Sequence, residues 1–313
     1  MRSSITPTGN SLPSIPTRRQ ALCSILAASA GCFGAPVSSA GFEVRVITNG
    51  DGEATKQILQ SFSKHLPGYH AFTDIREVAS RRGSAVHIAV GPAALQSALD
   101  ANLSGPLLSV FTSSETYARL TAGSQSHRKP DLTTAIFAEA SPMHQMALVR
   151  ELYGRAVSVG VLLTASSASI EPLLRSSAQA MRLQLDVQTL ESGANPIQGF
   201  ARLRSSTVIL AVPDRDLYTA TNFRDILEST YRRSQPVIGF SIGMVHAGAL
   251  AAAYSTVDDT VAHVRTAVAD LAAGRLLEPQ YPLYWRASVN YSVAKSMNVV
   301  VSDSVRALGN FPA

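Results

Sequence analysis

From residue 41 onward, short runs rich in Val, Ile, Leu and Thr alternate with longer stretches whose apolar residues recur at helical spacing. This alternation predicts βαβ units feeding a mainly parallel sheet, because two parallel strands need a crossover element between them. Strands are expected at residues 43–48, 69–74, 86–90, 107–111 and 134–137, with helices between them. A second series is expected at 157–163, 183–189, 207–212 and 236–240, again separated by helices such as 170–181. The pattern is played twice. Ser141 followed by Pro142 offers an N-cap and a proline at the first helical position, which starts a helix carrying Met146, Leu148 and Leu152 at the junction of the halves. Thr256, with Asp259 three residues on, makes a capping box for a helix running to about residue 273. Its Val261, Val264, Val268 and Leu271 share one face, and Gly274 stops it. Residues 280–289, with Tyr281, Pro282, Tyr284, Trp285 and Arg286, read as extended.

In an open parallel sheet, the strand C-termini carry the loops and the N-termini of the following helices, so polar ligands collect at that edge. The cleft between two such halves is the expected site. The loops predicted to face it hold Thr48, Asn49, Gly91, Thr112, Ser113, Ser114, Thr164, Asp214 and Ser241 as candidate ligand-binding residues. Small hydroxyls and glycines dominate, which suits backbone amides approaching a carboxylate or another anion. Each Ser or Thr taken alone is more often an ordinary helix cap, but capping does not explain why the set gathers at one edge.

Composition narrows the function classes. The chain has 313 residues, 46% hydrophobic and 16% charged, which is enough to bury large cores and excludes disorder over most of its length. No apolar run reaches 18 residues. The net charge of +5 suggests a nucleic-acid binder. However, Arg2, Arg18 and Arg19 lie in the first 40 residues, which hold no Lys, Asp or Glu, so the remainder carries only about +2 and a nucleic-acid partner is not expected. Those 40 residues read as an export signal. A polar stretch ends in Arg18-Arg19, an apolar core runs over 21–33, and Ser38-Ser39-Ala40 resembles a cleavage site, so the expected location is periplasmic. The arginine pair with Leu22 beyond it resembles a twin-arginine signal, although Ala21 stands where Phe is usual; general secretion is the alternative. Both cysteines, Cys23 and Cys32, fall in this region, and Cys32 is a candidate lipidation site despite Ser29 standing where Leu or Val is usual. Membrane contact is expected only through such an anchor or through a partner.

The sharpest enzyme-like motif is Gly239-Phe240-Ser241-Ile242-Gly243, a G-x-S-x-G frame between a predicted strand and helix. A hydrolase of that class also needs an acid and a histidine further on. The candidates are Asp258, Asp259, Asp270, His246 and His263, and His263 lies four residues from Asp259 on one predicted helix instead of on a separate loop. A strand-to-helix turn is therefore the preferred reading. Asn49-Gly50-Asp51-Gly52 lacks either phosphate-loop frame. The seven histidines show no ligand spacing, so neither a metal nor a cofactor is expected. Asp214 and Asp216 read either as a ligand clamp or as a solvated loop, and Arg81-Arg82 and Arg232-Arg233 as solvated surface. Tyr281, Tyr284, Trp285 and Tyr291 read either as a connector packed between two lobes or as ligand-stacking rings.

The block 156–163, then Pro236-Val-Ile-Gly-Phe-Ser241, then residues 247–255 (Ala-Gly-Ala-Leu-Ala-Ala-Ala-Tyr-Ser), then Val289-Asn290 with Ala294-Lys295, resembles the ABC-transporter substrate-binding proteins that include tryptophan- and tyrosine-binding members. The order and spacing match over about residues 140–301; residues 42–139 fit by pattern only. Where that family usually has a Pro-Gly-Gly-Asn-Val-Thr-Gly turn, this chain has residues 129–134, Lys-Pro-Asp-Leu-Thr-Thr. The resemblance implies a periplasmic-binding-protein-like type I architecture: α/β, with two Rossmann-like lobes, parallel sheets and a three-segment hinge. Mapped here, 1–40 is the export signal, 41–138 plus 254–281 is lobe I, and 139–253 plus 282–313 is lobe II. The implied function is capture of a small molecule, an amino acid among the candidates, by hinge closure and without catalysis. The implied partner is an ABC permease. The alternatives are a sensing or accessory relative without its own transporter, whose partner is a sensor protein, and the G-x-S-x-G hydrolase.

Overall fold

The computed structural model describes residues 42–123 and 132–312; the export signal, Cys23, Cys32 and residues 129–131 lie outside them. Nine strands appear where the β-branched runs predict them. The first five are β1 (Glu43–Ile47), β2 (Tyr69–Phe72), β3 (Ala85–Val90), β4 (Leu107–Thr112) and β5 (Thr133–Phe137). They form an all-parallel sheet in the order β2-β1-β3-β4-β5. Its central strands β3 and β4 are buried on both faces, as helical crossovers require, while the edge strand β2 exposes His70 and Ala71. One face holds Ile47, Ala89, Leu107 and Ala135 against α2 (Ile75–Ser80), α3 (Gly91–Asp100) and α4 (Ser114–Gly123). The other holds Val46, Val86, Ile88, Val110 and Ile136 and is covered by α1 (Glu53–His65) and by a helix from much later in the chain. Arg45 also lies in β1, 2% exposed. Its guanidinium is paired with Glu43 at 2.6 Å and donates to the carbonyls of Val78, Arg81 and Arg82, so it ties the end of α2 to the sheet.

The second sheet has the order β12-β11-β10-β9-β8-β6-β7. It is built from β6 (Ser158–Leu163), β7 (Gln184–Thr189), β8 (Val208–Leu210), β9 (Val237–Gly239), β10 (Ala251–Tyr254), β11 (Trp285–Val289) and β12 (Gly309–Asn310). β6 to β10 run parallel, and β11 pairs antiparallel with both β10 and β12. α5 (Pro142–Tyr153), which Ser141 caps through the His144 amide, lies on one face with α6 (Glu171–Ala180), α11 (Tyr291–Ser296) and α12 (Asp303–Arg306). The other face carries α7 (Pro196–Arg202), α8 (Ala220–Tyr231) and α9 (Ile242–His246). β9 pairs with β10 only as far as Gly239 and Ala252. Beyond that point the Gln145 side-chain amide continues the ladder, bonding both the N–H and the carbonyl of Ala253.

The chain passes between the sheets three times. It crosses after β5 through residues 138–141. It crosses back after β10 into α10 (Val257–Ala272), the late helix that covers the first sheet, and both bonds of the Thr256–Asp259 capping box are present. The last crossing leaves Gln280, which bridges Ile136 beside β5, and reaches Trp285 in the second sheet. The crossings are braced to one another. Ser255 Oγ donates to the Tyr284 carbonyl at 2.7 Å, the Leu283 N–H donates to His263 Nδ1 at 3.1 Å, and Arg286 grips Asp259 with two bonds of 2.7 and 2.8 Å.

His144 stacks on Trp285 at 4.4 Å, and burial pushes its imidazole down to about 4. The unfolded chain takes up this proton near pH 6.5 and the folded chain does not. Stability contributed here is therefore full above pH 6.5 and falls as the pH drops toward 4, with His263 acting in the same sense. His144→Phe is expected to recover about 1 kcal/mol at pH 5 relative to pH 7.5, allowing for partial exposure, as read from chemical unfolding at the two pH values.

Candidate functional site

The C-terminal ends of β4 and β5 meet the first crossing, and local backbone geometry directs what they present. Phe111 adopts a left-handed φ of 57° within β4, where the register against β5 shifts between Val110 and Thr112. A non-glycine bulge of this kind re-aims the residues that follow it. The turn places Ser113 and Ser114 at the head of α4. Ser113 Oγ accepts from the Thr116 amide at 3.2 Å, while the amide and hydroxyl of Ser114 both donate to Oε1 of Glu139, at 3.0 and 2.5 Å. Glu139 belongs to the first crossing and is 3% exposed; its Oε2 has no hydrogen-bond partner. Burial raises its carboxyl above the usual carboxylate range, with Glu115 adding to the rise and the Ser114 bonds opposing it.

Across from this edge stand the strand ends of the second lobe. Asp214, 3% exposed, accepts from Thr164 N and Oγ1 (3.1 and 2.7 Å) and from Ser167 Oγ (2.5 Å) at one oxygen, and from the amides of Asp216 and Leu217 (2.9 and 3.1 Å) at the other. It therefore knits the β6–α6 loop to the β8–α8 loop from a buried position, not from a solvated loop. Asp216 is exposed, accepts a 3.4 Å contact from Ser166 and lies 3.7 Å from the Arg215 guanidinium.

A hollow of about 150 Å³ opens between the lobes, walled by Ser114 and Glu115 on one side and by Ser167, Ile170 and Pro213 on the other, with Tyr281 of the last crossing joining them. Ile170, Pro213 and Tyr281 also line a narrower space of about 10 Å³ with Glu139, Gln145 and Phe240. The phenol of Tyr281 is pushed up to about 12 by burial and by the nearby Glu139, and its ring packs edge-on against Phe137 at 5.0 Å. It acts both as connector and as cavity wall.

The candidates from sequence thus divide. Ser114 lines the hollow, with Ser113 beside it. Thr164 and Asp214 meet in the network behind Ser167. Thr112, 1% exposed, lies next to Ser113 with an unpartnered hydroxyl. Thr48 is turned into its own lobe, toward the carbonyls of Phe72 and Gly50, while Asn49 is exposed and Gly91 opens α3 with φ 81°. None of these three lines the hollow. Ser241 caps α9 through the Met244 amide at 3.4 Å. Its motif has a packing cause: a Cβ on Gly239 would meet Met244 Cβ at 2.7 Å. The acids a hydrolase would need are engaged elsewhere, Asp258 with Ser61 and Lys64, Asp259 with Arg286 and Asp270 with Arg275, and His263 accepts from Leu283.

At these strand ends Glu139 holds the Ser114 amide, and Asp214 holds those of Thr164, Asp216 and Leu217. Sequence reasoning missed Glu139. Its signal was a lone carboxylate after the apolar run of β5, directly before the Ser141-Pro142 cap. Among the described residues there is no group of acidic, His or Cys side chains able to hold a metal, and no helix is long and apolar enough to cross a membrane.

The sequence matches no protein-family model and no curated protein. Solved structures do resemble the backbone. The ligand-free, open structure of a substrate-binding protein with adhesive properties from Clostridium difficile has a TM-score of 0.61 at 15% identity, covering 85% of this chain and 98% of that one. A conserved domain protein from Vibrio cholerae has a TM-score of 0.54 at 19% identity, covering 85% and 97%. An ABC domain in complex with L-Trp from Streptococcus pneumonia has a TM-score of 0.53 at 15% identity, covering 84% and 97%. With two α/β lobes, three crossings and these neighbours, the chain has the periplasmic-binding-protein type I fold.

Proposed function

We propose that this is an exported solute-binding protein that captures a small molecule between its lobes by hinge closure and delivers it to an ABC importer. The observation that carries the reading is the hollow itself: side chains of both lobes and of the last crossing wall it, so a ligand there touches both bodies that closure would bring together. Such a ligand favours the closed state by the difference between its contacts in the two states. The L-Trp complex among the structural neighbours makes amino acids the first compounds to screen. Export rests on the N-terminal pattern, and the importer on the resemblance read from sequence.

The test is a thermal-shift screen of residues 41–313 against amino acids, purines, small peptides and organic anions and cations, followed by small-angle scattering with each hit. A true ligand raises stability by RT ln(1 + [L]/Kd), about 2.7 kcal/mol at a hundredfold excess over Kd, and reduces the radius of gyration. A folded protein that no solute stabilises or closes overturns the reading. Ser241→Ala separates it from hydrolysis: the expected result is a loss of about 0.5–1 kcal/mol from the weakened cap, with no ester turnover before or after the change.

A further inference from the structure

The interior of the cleft carries an electrostatic imbalance. Glu139 is almost fully buried, and no Lys, Arg or His among the described residues forms an ion pair with it. One carboxylate oxygen is held by Ser114 and the other, Oε2, has no partner, within the space that Gln145, Ile170, Pro213, Phe240 and Tyr281 also line. Glu115, a second carboxylate, walls the adjoining hollow. Its nearest cation is Arg119, 4.0 Å away on the same helix. A buried acceptor without a donor costs free energy, and more so when it is charged, unless something supplied later completes it. The aromatic rings of Phe240 and Tyr281 add faces that attract cations. Meanwhile the amides of Ser114, Thr164, Asp216 and Leu217 are occupied by the protein's own carboxylates.

We propose that the solute captured here fills the hollow beside Glu115 and carries a primary ammonium, a group small enough to dock on Oε2 of Glu139 in the adjoining space of about 10 Å³. The assignment rests on the solute-binding reading and names the ligand's chemical class: a small organic cation. A carboxylate elsewhere on the ligand is compatible only if it points away from the head of α4.

The experiment is calorimetric titration of residues 41–313 with agmatine, 1,4-diaminobutane and L-arginine, and with uncharged 1,4-butanediol and dianionic succinate as matched controls. The expected result is saturable binding of at least one amine and none of the diol or succinate. Glu139→Gln keeps the oxygen that accepts from Ser114 and removes the charge. It is expected to weaken amine binding roughly 10- to 100-fold while leaving the melting temperature unchanged or higher. Glu115→Gln is the second variant and should weaken binding less.

A purely structural role for Glu139 would not move the pH profile. Agmatine's primary ammonium stays charged below about pH 9, so its affinity should rise with pH as the Glu139 carboxyl, faced by Glu115 from α4 and by Tyr281 from the last crossing, loses its proton. That rise should vanish in Glu139→Gln. Binding of succinate or the diol alone overturns the assignment, as does amine binding that neither variant weakens. If other solutes close the lobes in the wider screen and none of the amines binds, the cation assignment fails and solute capture stands. If nothing closes them, both fail.

Discussion

Replacing Asp214 with alanine should lower the melting temperature by roughly 8–16 °C, the largest loss expected from a single polar side chain in this protein. The reason is the number of donors that converge on it. Thr164 N and Oγ1, Ser167 Oγ and the amides of Asp216 and Leu217 all point at one carboxylate that is 3% exposed. Each buried donor left unpaired costs about 1–3 kcal/mol, and water entering the vacated space recovers part, so a net loss of about 4 kcal/mol is expected. Asp214→Asn should lose about half as much, because one carbonyl oxygen is retained while the new amide faces donors. Thermal unfolding of the two variants measures this. A fall of less than about 3 °C in the alanine variant would mean that the loops hold without their carboxylate.

The second large effect lies at the hinge. Asp259 is fully buried, caps α10 with Thr256 and receives two bonds from Arg286, which comes from β11 and is itself 37% exposed. Burial alone would raise the Asp259 carboxyl. The bonds from Arg286 and from the Thr256 cap outweigh it and hold the group below its ordinary value. Arg286→Met removes the partner and leaves a buried charge, at a cost of about 2–3 kcal/mol after discounting for the exposed guanidinium. Because the folded Asp259 value is depressed in the parent protein, the pair's contribution is present above the unfolded value near 3.9 and disappears as the pH falls through the folded one. In Arg286→Met burial instead raises the orphaned Asp259 carboxyl, which takes up a proton at a higher pH than in the unfolded chain, so the variant's penalty should shrink between pH 7 and pH 4. A double-mutant cycle with Asp259→Asn should show a coupling of about 1–3 kcal/mol. Additive losses would show that the two residues act separately.

These two sites differ in how far they could be read from the chain. The capping box was plain in Thr256 and Asp259, because its spacing is local and its chemistry does not depend on the rest of the fold. The nine β-branched strands were legible to within two residues or so at each end for a similar reason. β10 was not, because Ala251, Ala252 and Ala253 have no strand preference of their own and extend only because β9, β11 and the Gln145 amide pair with them. β12 is two residues long and exists by pairing with β11. In the cleft, the loops were found by the strand-edge rule, but the direction of each side chain was not. Thr48 turns inward to its own lobe, and Asp214 turns inward to its neighbouring loop. Glu139 looked like any charge between two elements until the bulge at Phe111 brought the head of α4 onto it.

The order in which the lobes can be completed follows from α10. The face of the first sheet formed by Val46, Ile88, Val110 and Ile136 is finished with β5, yet Val261, Val264, Ala267 and Leu271, which cover it, begin to appear only from residue 257. At a synthesis rate of about 5–20 residues per second, that apolar face waits roughly 6–25 s for its cover, far longer than an unassisted collapse takes. The strands that close the second sheet, β11 and β12, emerge later still. Neither lobe matures as an early, independent unit, and the two reach their native packing together near the end of translation.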